Sequence, residues 1–254
     1  MARITHQEVL EIFEENIRDA EMLVRAAEAL QNERQRRMRR EMRERIGQAL
    51  KYSRNNLESL DCIENEKVFF VFKNPTELGR EHFVDTRPLL RQAVVAGCSA
   101  FEHFLSRLVY RRAVKLFGRR EIPKRLGAIS MSVQHWVDLN QNYNRPSFGV
   151  HSIIEEFIKE QASTAPSKVG EVLGIIGVKD WTKKIDGERR VKKGTTEAQL
   201  EVITARRNQI AHNADRAGGG RAKLTRDQTN TWLHQIQHIA EAIDAVVGRE
   251  VKGN

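Results

Sequence analysis

The chain has 254 residues, room for one large domain or two small ones, and it carries a net charge of +9 with a sequence pI near 9.8. Hydrophobic residues make up 40%, charged residues 30% and aromatic residues 6%, which suits a helical protein with long solvated faces and disfavours an all-β fold. The basic balance points to a polyanionic partner, most simply nucleic acid, and the two cysteines exclude a disulfide framework or a four-ligand cysteine zinc site.

Met1 to Asn16 carries acids and no apolar block, so it reads as neither signal nor transit peptide, and no run reaches a membrane-span length. A cytoplasmic protein without membrane partners is expected. Thr5 with Glu8 forms a capping box, and a long helix should follow. Its apolar stripe is Val9, Ile12, Phe13, Ile17, Ala20, Leu23, Val24, Ala27 and Leu30. Residues 33–45 then hold seven Arg against three Glu. That run is either a phosphate-contacting face or a solvated helix laced with Glu–Arg pairs. Lys67-Val-Phe-Phe-Val-Phe72 is strand-like, and Asn74-Pro75 closes it. We place a domain boundary there: residues 1–75 as an N-terminal helical hairpin or arm, and residues 76–254 as the main helical domain.

Residues 87–117 read as a second long helix with the stripe Leu90, Val94, Cys98, Phe101, Leu105, Leu108 and Leu116. Glu102 and His103 flank the stripe. A basic cluster follows, with Arg111, Arg112, Lys115, Arg119 and Arg120 as candidate RNA contacts, and Pro123 ends it in a loop. Residues 128–143 should be helical up to Asn144-Arg145-Pro146. Shorter helices are expected from Ser152 to Ala162 and from Ser167 to about Lys184. Residues 183–194 form a basic loop, from which Lys183, Lys184, Arg189, Arg190, Lys192 and Lys193 are further RNA-contact candidates. Thr195-Thr196 with Gln199 restarts helix, ending near Asp215. Gly218–Gly220 is a break. Thr225 caps a last helix whose face is Trp232, Ile236, Ile239, Ala240, Ile243, Val246 and Val247. Trp136, Trp181 and Trp232 read as core, and His234 with His238 as polar face residues, since two ligands do not make a metal site.

The hexapeptide Arg207-Asn208-Gln209-Ile210-Ala211-His212 carries the most chemistry. Cleaving RNA without a metal needs an imidazole to move the 2′-hydroxyl proton and a fixed cation to stabilise charge on the phosphorus oxygens. Asn208 and His212 share a helix face, whereas Arg207 and His212 lie about 140° apart on an ideal helix. Convergence therefore needs Arg207 to reach around, a distorted helix end, or a second subunit meeting the first across a two-fold axis. Arg206, just before the motif, joins the candidate RNA contacts. The bland reading leaves Arg207 and His212 as surface residues at a helix end. Arg145 and His151 repeat the loose Arg-to-His spacing, but they are expected in a loop with Pro146 and Gly149 between them.

Arg207-Asn208-x-x-x-His212, late on one helix and followed by another, resembles the HEPN superfamily. Ala100-Phe101-Glu102-His103-Phe104 is similar to the acidic residue beside aromatics on an earlier helix of that superfamily. The resemblance covers roughly residues 87–247 and implies an all-α HEPN-like helical bundle. It also implies a metal-independent endoribonuclease that uses no cofactor, with Arg207, Asn208 and His212 in the catalytic motif and Glu102 as a supporting acid. Products would be a 2′,3′-cyclic phosphate and a 5′-hydroxyl. Partners implied are RNA, a second copy in a homodimer, and an antitoxin or regulatory protein, in a toxin or antiphage setting. The rival readings are a non-catalytic domain of the same fold that binds RNA or nucleotides, and a protein-interaction module.

Overall fold

The structure is a computed structural model that describes residues 6–35, 86–117, 121–142, 146–213, 215–217 and 220–252. The described residues form nine helices and one minimal hairpin: α1 (His6–Gln35), α2 (Arg87–Phe117), α3 (Lys124–Gly127), α4 (Val133–Asn142), α5 (Pro146–Gln161), α6 (Pro166–Ile175), α7 (Trp181–Glu188), α8 (Thr195–Asn213), β1 (Arg216–Ala217), β2 (Gly220–Arg221) and α9 (Arg226–Lys252). β1 and β2 pair antiparallel, Arg216 opposite Arg221. The fold is the all-α one expected. Two compact units divide the chain: residues 1–24 with 90–254, and residues 25–89, most of which lie outside the described part. The Arg run beyond residue 35, the strand-like 67–72 stretch and the 75/76 boundary fall there too. Thr5 of the first capping box is likewise outside it.

Within the first unit, α2 is the central helix. Apolar side chains cover nearly its whole circumference, from Leu90 and Val94 through Phe101, Phe104 and Leu108 to Leu116, as in a helix surrounded by others. The α1 stripe supplies Phe13, whose ring centroid lies 5.1 Å from that of Phe104. α9 contributes Leu233, Ile236, Ile239, Ala240 and Ile243, all buried. It lies so close to α2 that a Cβ at Gly97 would collide with the Leu233 side chain. Thr225 caps α9 as expected, its Oγ1 accepting from the Gln228 amide at 3.2 Å, and the structure adds the reciprocal bond, Gln228 Oε1 accepting from the Thr225 amide at 3.2 Å.

Four local expectations are corrected. The helix expected from residue 128 begins at Val133. The helix placed from Ser152 begins at Pro146, because a proline at the first helical position forfeits no hydrogen bond, and His151 therefore sits on α5 rather than in a loop. The helix placed over 167–184 is two, α6 and α7, separated where Gly177 and Asp180 adopt positive φ of 85° and 50°. Trp136 is 58% exposed rather than core. The last helix and its face are as expected, with Trp232 half-buried at its edge.

Candidate functional site

A helix buried on most sides tolerates charge only where a partner meets it. Two charged side chains of α2, Arg91 and Glu102, are met by α8 or by the turn that follows it, and the two encounters differ in kind.

Glu102 faces Arg207. One carboxylate oxygen lies 3.7 Å from Arg207 Nη2, an ion pair too long for a hydrogen bond, and the other accepts from the Thr164 backbone amide at 3.3 Å. Thr164, buried between α5 and α6, also takes a 3.1 Å hydrogen bond from the Thr204 hydroxyl, one turn before Arg207 on α8. Arg207 Nη1 donates to Asn208 Oδ1 at 3.2 Å, while its Nε is buried and makes no hydrogen bond. The guanidinium is thus oriented by Glu102 and Asn208 and retains unspent donor capacity, with its side chain 28% exposed. Cys98, one turn before Glu102 and fully buried, closes the inner side of this cluster. Burial pushes its thiol up to about 12, with Glu102 adding to the shift and Arg207 and a Thr164 hydrogen bond opposing it. It is an inert thiol, part of the core.

Arg207, Asn208 and Glu102 come together in the structure. Asn208 turns its amide oxygen to Arg207, so it orients the guanidinium. His212 is exposed in the last turn of α8. That helix runs on through Asn213, so no break in the helix before His212 brings it toward Arg207.

Arg206 is placed otherwise. Its guanidinium pairs with Asp215 Oδ1 at 2.7 Å and donates to Asp215 Oδ2 at 2.9 Å, Gln209 Oε1 at 2.9 Å and the Lys223 carbonyl at 3.2 Å. Arg91 of α2 pairs with the same fully buried carboxylate and donates to the Ala222 carbonyl at 3.2 Å. Asp215 itself holds a positive φ of 58°, its amide donates to the Gln209 carbonyl, and its carbonyl accepts from Ala222. Two guanidinia and one carboxylate thus lock the end of α8 and the residues flanking the β1–β2 pair onto α2, a few residues past His212.

Among the other predicted RNA contacts, Arg189 is occupied in bridging to α8. It donates at 2.8 Å to both Thr196 Oγ1 and Gln199 Oε1, and burial pushes its guanidinium below the usual range while Asp186 opposes. The Thr–Gln pair expected to cap α8 is therefore used by Arg189, and buried Asp186 takes over the cap, accepting from the Gly194 and Thr196 amides at 2.6 and 2.9 Å. Lys183, Lys184, Arg190, Lys192 and Lys193 are exposed on α7 and the loop after it. Arg111, Arg112 and Lys115 line a cavity on another face of α2. Arg119 and Arg120 lie outside the described residues. Thr164, Thr204, Arg91 and Asp215 escaped the sequence reading. Thr204 alone left a signal, three residues before Arg207 on the same helix face.

No group of side chains able to hold a metal ion occurs among the described residues, and no described helix is long and apolar enough to cross a membrane. No curated protein and no solved structure gives a significant match to the chain. The RiboL-PSP-HEPN family profile matches residues 55–248, reaching back into the segment that the sequence reading set apart as an arm. That match takes in most of the chain, including Glu102 and the whole Arg207–His212 motif, and the chain belongs to the RiboL-PSP-HEPN family of the HEPN superfamily.

Proposed function

We propose that the protein is a metal-independent endoribonuclease, acting in a toxin or antiphage role, with Arg207 and His212 as its catalytic residues. The observation that carries this reading is the state of Arg207. Its guanidinium is held from two sides but not saturated, with Nε buried and unpaired, on the helix whose last turn exposes His212. Arg91 of the clamp also has a buried idle Nη1 but is 7% exposed, whereas Arg207 combines its idle donor with a side chain that solvent reaches, which suits it to receive a phosphate.

In the reaction, the 2′-oxygen attacks the adjacent phosphorus and the bond to the 5′-oxygen breaks. One imidazole accepts the 2′-hydroxyl proton and another donates a proton to the departing 5′-oxygen. Arg207 stabilises the negative charge on the phosphorane oxygens. Glu102 and Asn208 position Arg207. Each motif supplies one histidine, so two chains with their motifs facing each other provide the acid and the base. Lys183, Lys184, Arg190, Lys192 and Lys193 are suited to track the RNA backbone.

The test is incubation of labelled RNA with purified protein in EDTA, alongside a solution measurement of size. Cleavage by a dimeric wild type, lost in His212→Ala with RNA binding kept, supports the proposal. Binding without cleavage by any form would make the protein a non-catalytic RNA-binding domain, and a strictly monomeric active enzyme would overturn the two-chain mechanism.

A further inference from the structure

Between His212 and Thr225 the chain carries three cations, Arg216, Arg221 and Lys223, and one acid, Asp215. Asp215 is buried and taken by Arg91 and Arg206, so no acid of this stretch is left for the other three charges. Arg216 of β1 and Arg221 of β2 stand directly opposite each other in the antiparallel pair. Residues so opposed send their side chains to the same face with Cβ atoms about 4.5–5.5 Å apart, and like charges placed there are destabilising. Both arginines are exposed, as is Lys223, and none of the three side chains has a hydrogen bond or ion pair among the described residues.

The clamp supplies the second observation. Each strand has two residues, too little to stand alone as a hairpin. The pair is instead held from its flanks. The Ala222 amide donates to the Asp215 carbonyl at 2.8 Å, Arg91 donates to the Ala222 carbonyl at 3.2 Å, and Arg206 to the Lys223 carbonyl at 3.2 Å. A buried ionic cluster therefore fixes two mutually repelling guanidinia at the surface. His212 precedes Arg216 by four residues, so their Cα atoms lie within about 14 Å of each other.

An enforced pair of like charges is relieved by an anion set between them, and the guanidinium fork matches a phosphate bidentately. An RNA strand brings such an anion with every nucleotide. We infer that the β1–β2 hairpin grips the substrate strand beside the cleavage site, with Arg216 and Arg221 on phosphates that neighbour the scissile one and Lys223 adding to the local charge. The inference rests on the ribonuclease reading of the Arg207–His212 motif and assigns the place where that substrate is held.

The experiment measures binding of a labelled single-stranded 2′-O-methyl oligonucleotide, which keeps the phosphates and lacks the attacking hydroxyl, to the full-length protein over a range of salt. It also measures kcat and KM for cleavage of the matching RNA. In Arg216→Gln/Arg221→Gln, affinity should fall about ten-fold, and the slope of log affinity against log salt should shrink by about 1.4, the value for two phosphate contacts on a single strand. KM should rise with kcat kept, and the melting temperature should hold or rise because the repulsion is gone. Arg216→Lys/Arg221→Lys should keep the salt slope. Lys159→Gln/Lys168→Gln, which removes two exposed charges from α5 and α6, should bind close to the wild type. Affinity and salt slope unchanged in the Gln variant would overturn the inference and leave the hairpin to an acidic protein surface. So would an equal loss in the lysine control, which would make the effect one of net charge, or a large fall in melting temperature in both arginine variants. A wild type that cleaves RNA while the hairpin variants match it overturns this inference alone. Binding that depends on the hairpin without cleavage overturns the ribonuclease reading alone, and a wild type that binds no oligonucleotide overturns both.

Discussion

Arg206 and Arg207 are neighbours on one helix, each faces a carboxylate, and they have opposite fates. Arg206 spends its donors on Asp215, Gln209 and Lys223, and its side chain is 12% exposed. Arg207 has a loose 3.7 Å pair with Glu102, one hydrogen bond to Asn208, a buried idle Nε, and more than twice the exposure. A guanidinium with partners on both terminal nitrogens is held to the fold by them. Arg91 in the clamp also keeps a buried idle Nη1, so it is the idle donor together with solvent exposure that marks Arg207 as the group able to meet a ligand. The difference separates a clamp from a candidate catalytic cation within two consecutive residues.

The strongest blow to the clamp is Asp215→Ala, which leaves Arg91 and Arg206 charged without their carboxylate. It should cost about 3–5 kcal/mol of stability, read as a large fall in melting temperature. An unchanged melting temperature would show that the buried triad contributes little. Arg207→Ala should do the reverse. RNA cleavage should fall by about 10²–10³-fold, while stability changes by less than about 1 kcal/mol, as for a partly exposed pair. If Arg207→Ala instead unfolds the protein, the contrast between the two arginines disappears. Arg206→Ala leaves Asp215 paired with Arg91, so a cost of about 1.5–3 kcal/mol is expected, the value of lost charge-assisted hydrogen bonds. Glu102→Gln acts on Arg207 through position alone, and should lower cleavage by about ten-fold with RNA binding kept. A loss as large as that of Arg207→Ala would give Glu102 a direct part in the chemistry. The smallest effect concerns Cys98, whose raised pKa and full burial should leave it unlabelled by a thiol reagent at mildly alkaline pH in a Cys62→Ser background, until the protein unfolds. Rapid labelling of the native protein would mean that the floor of the Arg207 cluster opens.

Parts of this were legible from residue order. The α1, α2 and α9 stripes follow helical period, and Thr225 caps α9 as its position implies, with Gln228 completing the cap. The encounter of Glu102 with Arg207 was reachable only through the resemblance, which joins two motifs 105 residues apart by a known arrangement of helices. The Arg91–Asp215 pair spans 124 residues with no motif at either end, so periodicity and spacing were silent about it. Arg206 read as a nucleic-acid contact because charge type is visible in a sequence and the partner of a charge is not. Arg189 illustrates the same point: it sits in a basic loop by composition, yet its donors are spent on Thr196 and Gln199. The break between α6 and α7 was missed because an apolar helical pattern continues across Gly177 while the backbone turns there. Trp136 reads as core from its place on an apolar helix face, and α4 leaves it exposed.

The end chemistry of the RNA products tests the central claim most directly. With EDTA present, the wild type should leave 2′,3′-cyclic phosphate and 5′-hydroxyl ends, and neither Arg207→Ala nor His212→Ala should produce them at a comparable rate. Products with 5′-phosphate ends, or cleavage that survives the loss of both side chains, would contradict the account.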